Sequence, residues 1–246
     1  MGVDHRMWTL QEPALQELGP VWAPDLPGFG AAPPLDPLRR TPEDYADWIA
    51  ARLRQRGTGA AHVAGYSMGG TLALLLALRH PQRVRSLAVC CSSPCWGRGA
   101  RGALALAWGL LAPRLAMEVF ARSVQWGYAR YSRDPAGRAE VAAMVRGAHR
   151  PTMLALYRAL AGLDLRAEVG RLTVPVLVVG GGRDWLAPPS HQRRLARAVP
   201  GAELALLPGA DHMLCVGRPA QFTQVLTRFF RDAEGRAAVP RKLWAP

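Results

Sequence analysis

Gly65-Tyr66-Ser67-Met68-Gly69-Gly70 lies between a short apolar run, His62 to Gly65, and a Leu- and Ala-rich segment from Met68 to about His80. The first reads as a buried strand and the second as a helix ended by Pro81. G-x-S-x-G at a strand-to-helix junction marks a sharp turn that lifts a serine hydroxyl above a sheet. Gly65 and Gly69 let the turning backbone pass its neighbours without a Cβ clash. The helix that begins after Ser67 points its first amides toward a developing oxyanion. Ser67 is the candidate nucleophile.

Outward from this turn, strand-like runs alternate with amphipathic helices, the pattern of a parallel α/β sheet covered on both faces. Val21 to Leu26 reads as a strand leading into Pro27-Gly28-Phe29-Gly30. Thr41 is an N-cap with Pro42 at the first helical position, and that helix stops at Gly57. Val84 to Cys91 is the next strand. From about Gly97 to Gly170 the strand pattern gives way to four helical segments broken near Pro113, Pro135 and Pro151, which predicts a helical cap inserted into the sheet. Alternation resumes with a strand over Pro175 to Val179, a helix near Pro189, a strand over Glu203 to Leu207 and a closing helix from about Pro219 to Arg231. The expected organisation is one α/β core, residues 1–96 and 171–232, with a cap over 97–170 and a loose tail over 233–246.

A serine hydroxyl needs a base to take its proton, and the base needs a carboxylate to fix its tautomer. In this sheet class the chain order is Ser, acid, His. Asp184, in Gly180-Gly181-Gly182-Arg183-Asp184, follows the strand ending at Val179, and His212, in Pro208-Gly209-Ala210-Asp211-His212, follows the last strand. Both fall at the carboxyl edge of the sheet, where ligands gather. His5, His62, His80 and His149 precede Asp184, and His191 sits on a helix start beside arginines. Asp211 and Asp164 are the alternative acids, the first adjacent to the base and the second within the cap.

The chain has 246 residues, 50% of them hydrophobic and 20% charged, and no apolar run near the roughly 20 residues that span a bilayer. No secretory signal is visible, so a cytoplasmic chain without membrane attachment is expected, and a monomer. Cys90, Cys91, Cys95 and Cys215 form no repeated C-x-x-C pair, which argues against a zinc site or a disulfide framework. No metal or cofactor is called for. The net charge is +13, and Lys242 is the only lysine. An arginine-rich surface steers acidic partners, and no nucleic-acid-binding motif accompanies it.

These motifs, with Asp25-Leu26-Pro27-Gly28-Phe29-Gly30 before them, resemble the α/β-hydrolase superfamily over nearly all of the chain outside the cap. Ser92-Ser93-Pro94-Cys95-Trp96, Gly162-Leu163-Asp164-Leu165-Arg166 and Gly209-Ala210-Asp211-His212 resemble the BioH-like pimeloyl-acyl-carrier-protein methyl ester esterases of biotin synthesis. That resemblance implies hydrolysis of a methyl ester on a pimeloyl chain carried by acyl carrier protein, with release of methanol. It implies docking of the acidic carrier on a cap holding 11 arginines against five acidic residues. Arg122, Arg130, Arg138, Arg146, Arg150 and Arg158 are the candidates, because guanidinium forks suit carboxylates and phosphate. Phe120 and Gln125 match the family's acyl-tunnel positions. Met68 would give one oxyanion amide, and Met1 falls where the family places the residue that gives the other.

The sequence departs from that family at its start. Gly2-Val3-Asp4-His5-Arg6-Met7-Trp8 fits the stretch just after the family's His-Gly-Trp-Gly strand, so the upstream strands are expected to be missing and the native start to lie further upstream. Two other readings stay open on the sequence. One keeps the triad and changes the substrate to an enol lactone, a carbon–carbon bond or a general short-chain ester. Another is a truncated, non-catalytic remnant.

Overall fold

A computed structural model describes residues 2–96, 113–131 and 135–238. The chain enters through a short turn of helix, His5–Trp8, and α1 (Glu12–Gln16), then reaches α2 (Pro42–Gln55). Thr41 caps α2 as its sequence anticipated, and the structure adds a reciprocal box with Asp44: the Thr41 hydroxyl accepts from the Asp44 amide, and the Asp44 carboxylate accepts from the Thr41 amide. The core continues through β1 (Ala61–Tyr66), α3 (Met68–Arg79) and β2 (Val84–Cys90). Three helices follow, α4 (Pro113–Ala129), α5 (Pro135–Gly147) and α6 (Arg150–Gly162), then β3 (Val176–Gly181), α7 (Pro189–Ala198), β4 (Glu203–Leu207), the short α8 (Leu214–Gly217) and α9 (Pro219–Ala238).

The strands form one sheet in the order β1-β2-β3-β4, and every pairing is parallel. Period-2 alternation sends successive side chains to opposite faces. Val176 and Val178 join a core built with Tyr45 and Leu53 of α2, Leu72 and Leu76 of α3 and Leu195 of α7. Leu177 and Val179 face a second core with Phe222, Leu226 and Phe229 of α9. Both faces are therefore covered, which explains why β2 and β3 read as continuous apolar runs rather than alternating ones.

Two expectations need correction. Val21 to Leu26 is not a strand. A strand exists through its ladder, and among the described residues this stretch pairs with no strand. A cavity of about 560 Å³ separates Val21, Trp22 and Ala23 from the edge of β1 and reaches Ser67. Among the described residues β1 pairs with β2 alone and stands at the edge of the sheet. The closing helix, expected to end near Arg231, continues to Ala238, and Ala233 at its expected tail is buried. Of the four helical segments expected between residues 97 and 170, α4, α5 and α6 are described; residues 97–112, 132–134 and 239–246 lie outside the described residues, as does Met1.

The helical segment is tied to the core at several points. The His149 amide donates to the Gly28 carbonyl at 2.8 Å and the Leu165 amide to Pro94 at 2.8 Å. Arg6 bridges Asp4 of the core and Glu140 of α5, at 2.6 and 2.7 Å.

Candidate active site

Ser67 sits between β1 and α3 with φ 53° and ψ −118°, a backbone conformation that L side chains seldom adopt. Such strain costs of order 1–3 kcal/mol and persists only where the surroundings enforce it. Two features enforce it here. The Ser67 amide donates to the Cys90 carbonyl at 2.8 Å, which ties the turn to β2. At Gly65 a Cβ would lie 2.3 Å from the Gly69 carbonyl oxygen and 2.7 Å from the Ala73 Cβ, so the strand and helix can close on each other only over glycine. Met68 opens α3, and its amide therefore has no partner within the helix. Its side chain is buried in the core, which leaves the backbone as its contribution to the site.

The structure brings Ser67, His212 and Asp184 together. His212 Nε2 lies 3.0 Å from Ser67 Oγ, and His212 Nδ1 lies 2.8 Å from Asp184 Oδ2. Asp184 is 2% exposed. Its other oxygen accepts from the Leu186 and Ala187 amides at 2.9 and 2.8 Å. A carboxylate with these three partners can only accept, so Nδ1 carries the imidazole proton and Nε2 keeps its lone pair toward the serine. This is the tautomer a general base needs.

The glycine run before Asp184 has a specific use. A Cβ on Gly181 would lie 2.5 Å from the carbonyl oxygens of both Ala210 and Asp211, so the histidine loop can settle on the end of β3 only over glycine. The loop is held there by the Arg183 amide donating to Ala210 at 2.7 Å. The other acids are engaged elsewhere. Asp211 accepts from the Met213 amide at 2.9 Å, and Asp164 binds Arg166 at 2.6 Å. His191, the remaining histidine after Asp184, lies on the first turn of α7, and burial followed by the Arg194 charge lowers its pKa.

Several groups around the triad could not be read from the sequence. The Tyr66 hydroxyl donates to the His212 carbonyl at 2.6 Å. Buried Gln192 donates to the carbonyls of Ser92 and Ala187, at 2.8 and 3.3 Å, stitching α7 to the acid loop. Cys91, at φ 46°, lies beside Asp184; burial, and then that carboxylate, push its thiol well above the ordinary range and keep it protonated. The Tyr66–His212 and Gln192–Ser92 contacts cross 146 and 100 residues of sequence, and no local pattern encodes them. Cys91, Asp184 and His212 form one group of metal-ligand type, and Asp4, His5 and Asp25 another. In both groups the carboxylates already hold partners: Arg6 on Asp4, His5 and the Ala31 amide on Asp25, and two amides and His212 on Asp184.

The six arginines proposed for docking differ in their surroundings. Arg122 and Arg146 both bind Glu118, each at 3.0 Å, and these contacts hold that carboxyl down to about 2. Arg130 stacks over Trp126, 5.0 Å from the ring centre. Arg150 and Arg158 are exposed on α6, and Arg138 lies half-buried on α5. Gln125 is half-buried on α4, and the Phe120 side chain, like Met1, lies outside the described residues.

Residues 1–225 match the model of the alpha/beta hydrolase family. Among curated relatives, a pimeloyl-acyl-carrier-protein methyl ester esterase from Aeromonas hydrophila is 31% identical over 239 residues, covering 93% of this chain and 91% of the relative. One of the same name from Neisseria meningitidis is 33% identical over 224 residues, covering 86% and 83%. Among solved structures, a hydrolase from Pseudomonas aeruginosa PA01 aligns with a TM-score of 0.81 at 28% identity, over 93% of this chain and 86% of that one. The enol-lactonase from Burkholderia xenovorans LB400 aligns with a TM-score of 0.81 at 25% identity, over 94% and 88%. With its parallel sheet, its serine at the strand-to-helix turn and this family match over most of its length, the chain belongs to the alpha/beta hydrolase family.

Proposed function

We propose that this chain is a serine carboxylesterase that removes the methyl ester from a pimeloyl chain carried on acyl carrier protein, in biotin synthesis. The observation that carries the proposal is the unbroken relay from Ser67 Oγ through the His212 imidazole to buried Asp184, at 3.0 and 2.8 Å. The relatives of that name, at 31% and 33% identity, support the choice of substrate.

On this reading His212 Nε2 takes the Ser67 proton as Oγ attacks the ester carbonyl carbon. The oxyanion forms against the Met68 amide at the start of α3, where the helix dipole also favours negative charge. Collapse expels the methoxy group, which takes the proton from His212 and leaves as methanol. Water, deprotonated by the same nitrogen, then hydrolyses the acyl-serine to the free acid. The acidic carrier docks on the arginines of the helical cap, of which Arg150 and Arg158 on α6 are exposed and Arg122 and Arg146 share Glu118. The chain acts as a cytoplasmic monomer in this account.

A second reading, opening of an enol lactone, is favoured by the likeness to the Burkholderia xenovorans enzyme. The same triad would serve it, with the leaving oxygen tethered to the acyl group. The two are separated by kcat/KM for the carrier-bound methyl ester, free dimethyl pimelate and an enol lactone. The proposal expects the carrier-bound ester to lead by at least about tenfold and the lead to shrink with salt, since exposed charges are screened over roughly 8–10 Å at ordinary ionic strength. A lead for the lactone would transfer the assignment to the second reading.

A further inference from the structure

We propose that Tyr66 is a positioning residue for the base: its hydroxyl, bonded to the His212 carbonyl, sets the height of the imidazole over Ser67. The inference rests on the serine-base chemistry proposed above and adds a residue to it. Tyr66 ends β1 and precedes Ser67 directly, so its backbone is the nucleophile's own support. Its phenol reaches across the site and donates to His212 at 2.6 Å, and the ring meets the imidazole edge-on at 6.0 Å and 68°. One rigid side chain therefore links the main chain at the nucleophile to the main chain at the base.

The two constraints on His212 act on different parts of it. Asp184 holds Nδ1, which fixes the tautomer and the rotation of the ring. It does not touch the main chain of His212, which lies in a loop between β4 and α8; that loop is fastened beside the histidine, at Ala210 by the Arg183 amide and at Met213 by the Asp211 carboxylate. The Tyr66 hydroxyl supplies the second constraint at the histidine itself. The phenol is itself braced: Phe222 of α9 meets it edge-on at 5.9 Å and 84°, and Trp8 does so at 6.4 Å and 87°. Burial, with the Cys215 and Cys91 thiols beside it, pushes its pKa well above the ordinary range, so it remains a donor.

The test compares Tyr66→Phe with Tyr45→Phe. Tyr45 also donates its hydroxyl to a main-chain carbonyl and is fully buried, but its acceptor is Pro27, at 2.8 Å, rather than a residue of the triad. The two substitutions make the same chemical change. Turnover of p-nitrophenyl acetate, a substrate independent of the carrier, is measured per serine titrated with a fluorophosphonate, and thermal midpoints are recorded beside it. A misplacement near 1 Å costs about 10²-fold, so Tyr66→Phe should lose about 10- to 100-fold in kcat per titrated site with KM within about twofold. Tyr45→Phe should lower the thermal midpoint and keep kcat per titrated site. Unchanged kcat per site in Tyr66→Phe, or equal losses in both variants, overturns the proposal while leaving the triad standing. A parent chain that neither titrates nor turns over overturns the serine-base reading, and this inference with it.

Discussion

Replacing Asp184 by Asn keeps the shape of the side chain and removes its charge, which isolates what the carboxylate does. One oxygen is already held by the Leu186 and Ala187 amides, at 2.9 and 2.8 Å, and an Asn oxygen can keep both bonds. The amide nitrogen then has to face His212 Nδ1, 2.8 Å away. Two donors cannot share that contact, so Nδ1 gives up its proton and becomes the acceptor. The proton moves to Nε2, which now points a hydrogen at Ser67 Oγ and can no longer receive one. A base locked in the wrong tautomer loses about 10⁴ in kcat, close to 5 kcal/mol of transition-state stabilisation. KM should change little, because substrate binding does not use the tautomer. Hydrolysis of a p-nitrophenyl ester at pH 7 reads the loss, and a thermal melt confirms that the fold survives. A fall of less than about tenfold, with the fold intact, would refute the argument that Asp184 sets the tautomer.

Gly65→Ala drives a methyl group to within 2.3 Å of the Gly69 carbonyl, and backbone cannot swing aside as a side chain can. Overpacking of this kind costs about 1–3 kcal/mol, so the thermal midpoint should fall by several degrees at about 2–4 °C per kcal/mol, with turnover falling further; an unaltered midpoint would contradict the close approach. Glu118, held to about 2 by Arg146 and then Arg122 against an ordinary 4.5, gives a pH test. Its folded pKa is depressed, so the stabilisation is present above pH 4.5 and lost as the pH falls toward 2. The melting curves of the parent and Glu118→Gln should therefore differ at pH 6 and converge toward pH 2, and a constant gap would count against it. Reversing Arg150 and Arg158 together to Glu should raise KM for a carrier-bound ester about tenfold or more, through lost charge complementarity, and leave a small free ester untouched. Equal effects on both substrates would remove α6 from the docking surface.

Local chemistry decided what the sequence revealed. The Thr41 cap ahead of Pro42 and Gly65 beside Ser67 are each written within a few residues and appear in the structure in the use expected of them, whereas a Cβ on Gly69 would meet nothing within 4 Å, so the close approach expected there rests on Gly65 alone. The triad was legible for a related reason: chain order and the strand ends place Ser67, Asp184 and His212 on one edge before any contact is known. Val21 to Leu26 misled because a short, largely apolar run reports only a half-buried extended segment, whereas a strand requires a neighbour, and here a cavity lies between the run and β1. The edge of β1 that pairs with no strand among the described residues borders the same cavity, and edges of this kind favour pairing with other chains. Tyr66, Gln192 and Cys91 stayed hidden because their partners lie far off in the chain; Tyr66 and His212 are 146 residues apart. The arginines proposed for docking were singled out only through a charge excess. Glu118 binds two of them and Trp126 a third; the Glu118–Arg122 and Trp126–Arg130 pairs are each four residues apart in sequence, whereas Arg146 reaches Glu118 across 28 residues, which no local spacing encodes.

The most direct test of the account is methanol release from pimeloyl-acyl-carrier-protein methyl ester, measured for this chain beside its Ser67→Ala variant. The account predicts turnover by the parent and none above background in the variant, whose fold is unchanged. Turnover that survives loss of the Ser67 hydroxyl would contradict the assignment of nucleophile and base, and with it the mechanism built on them.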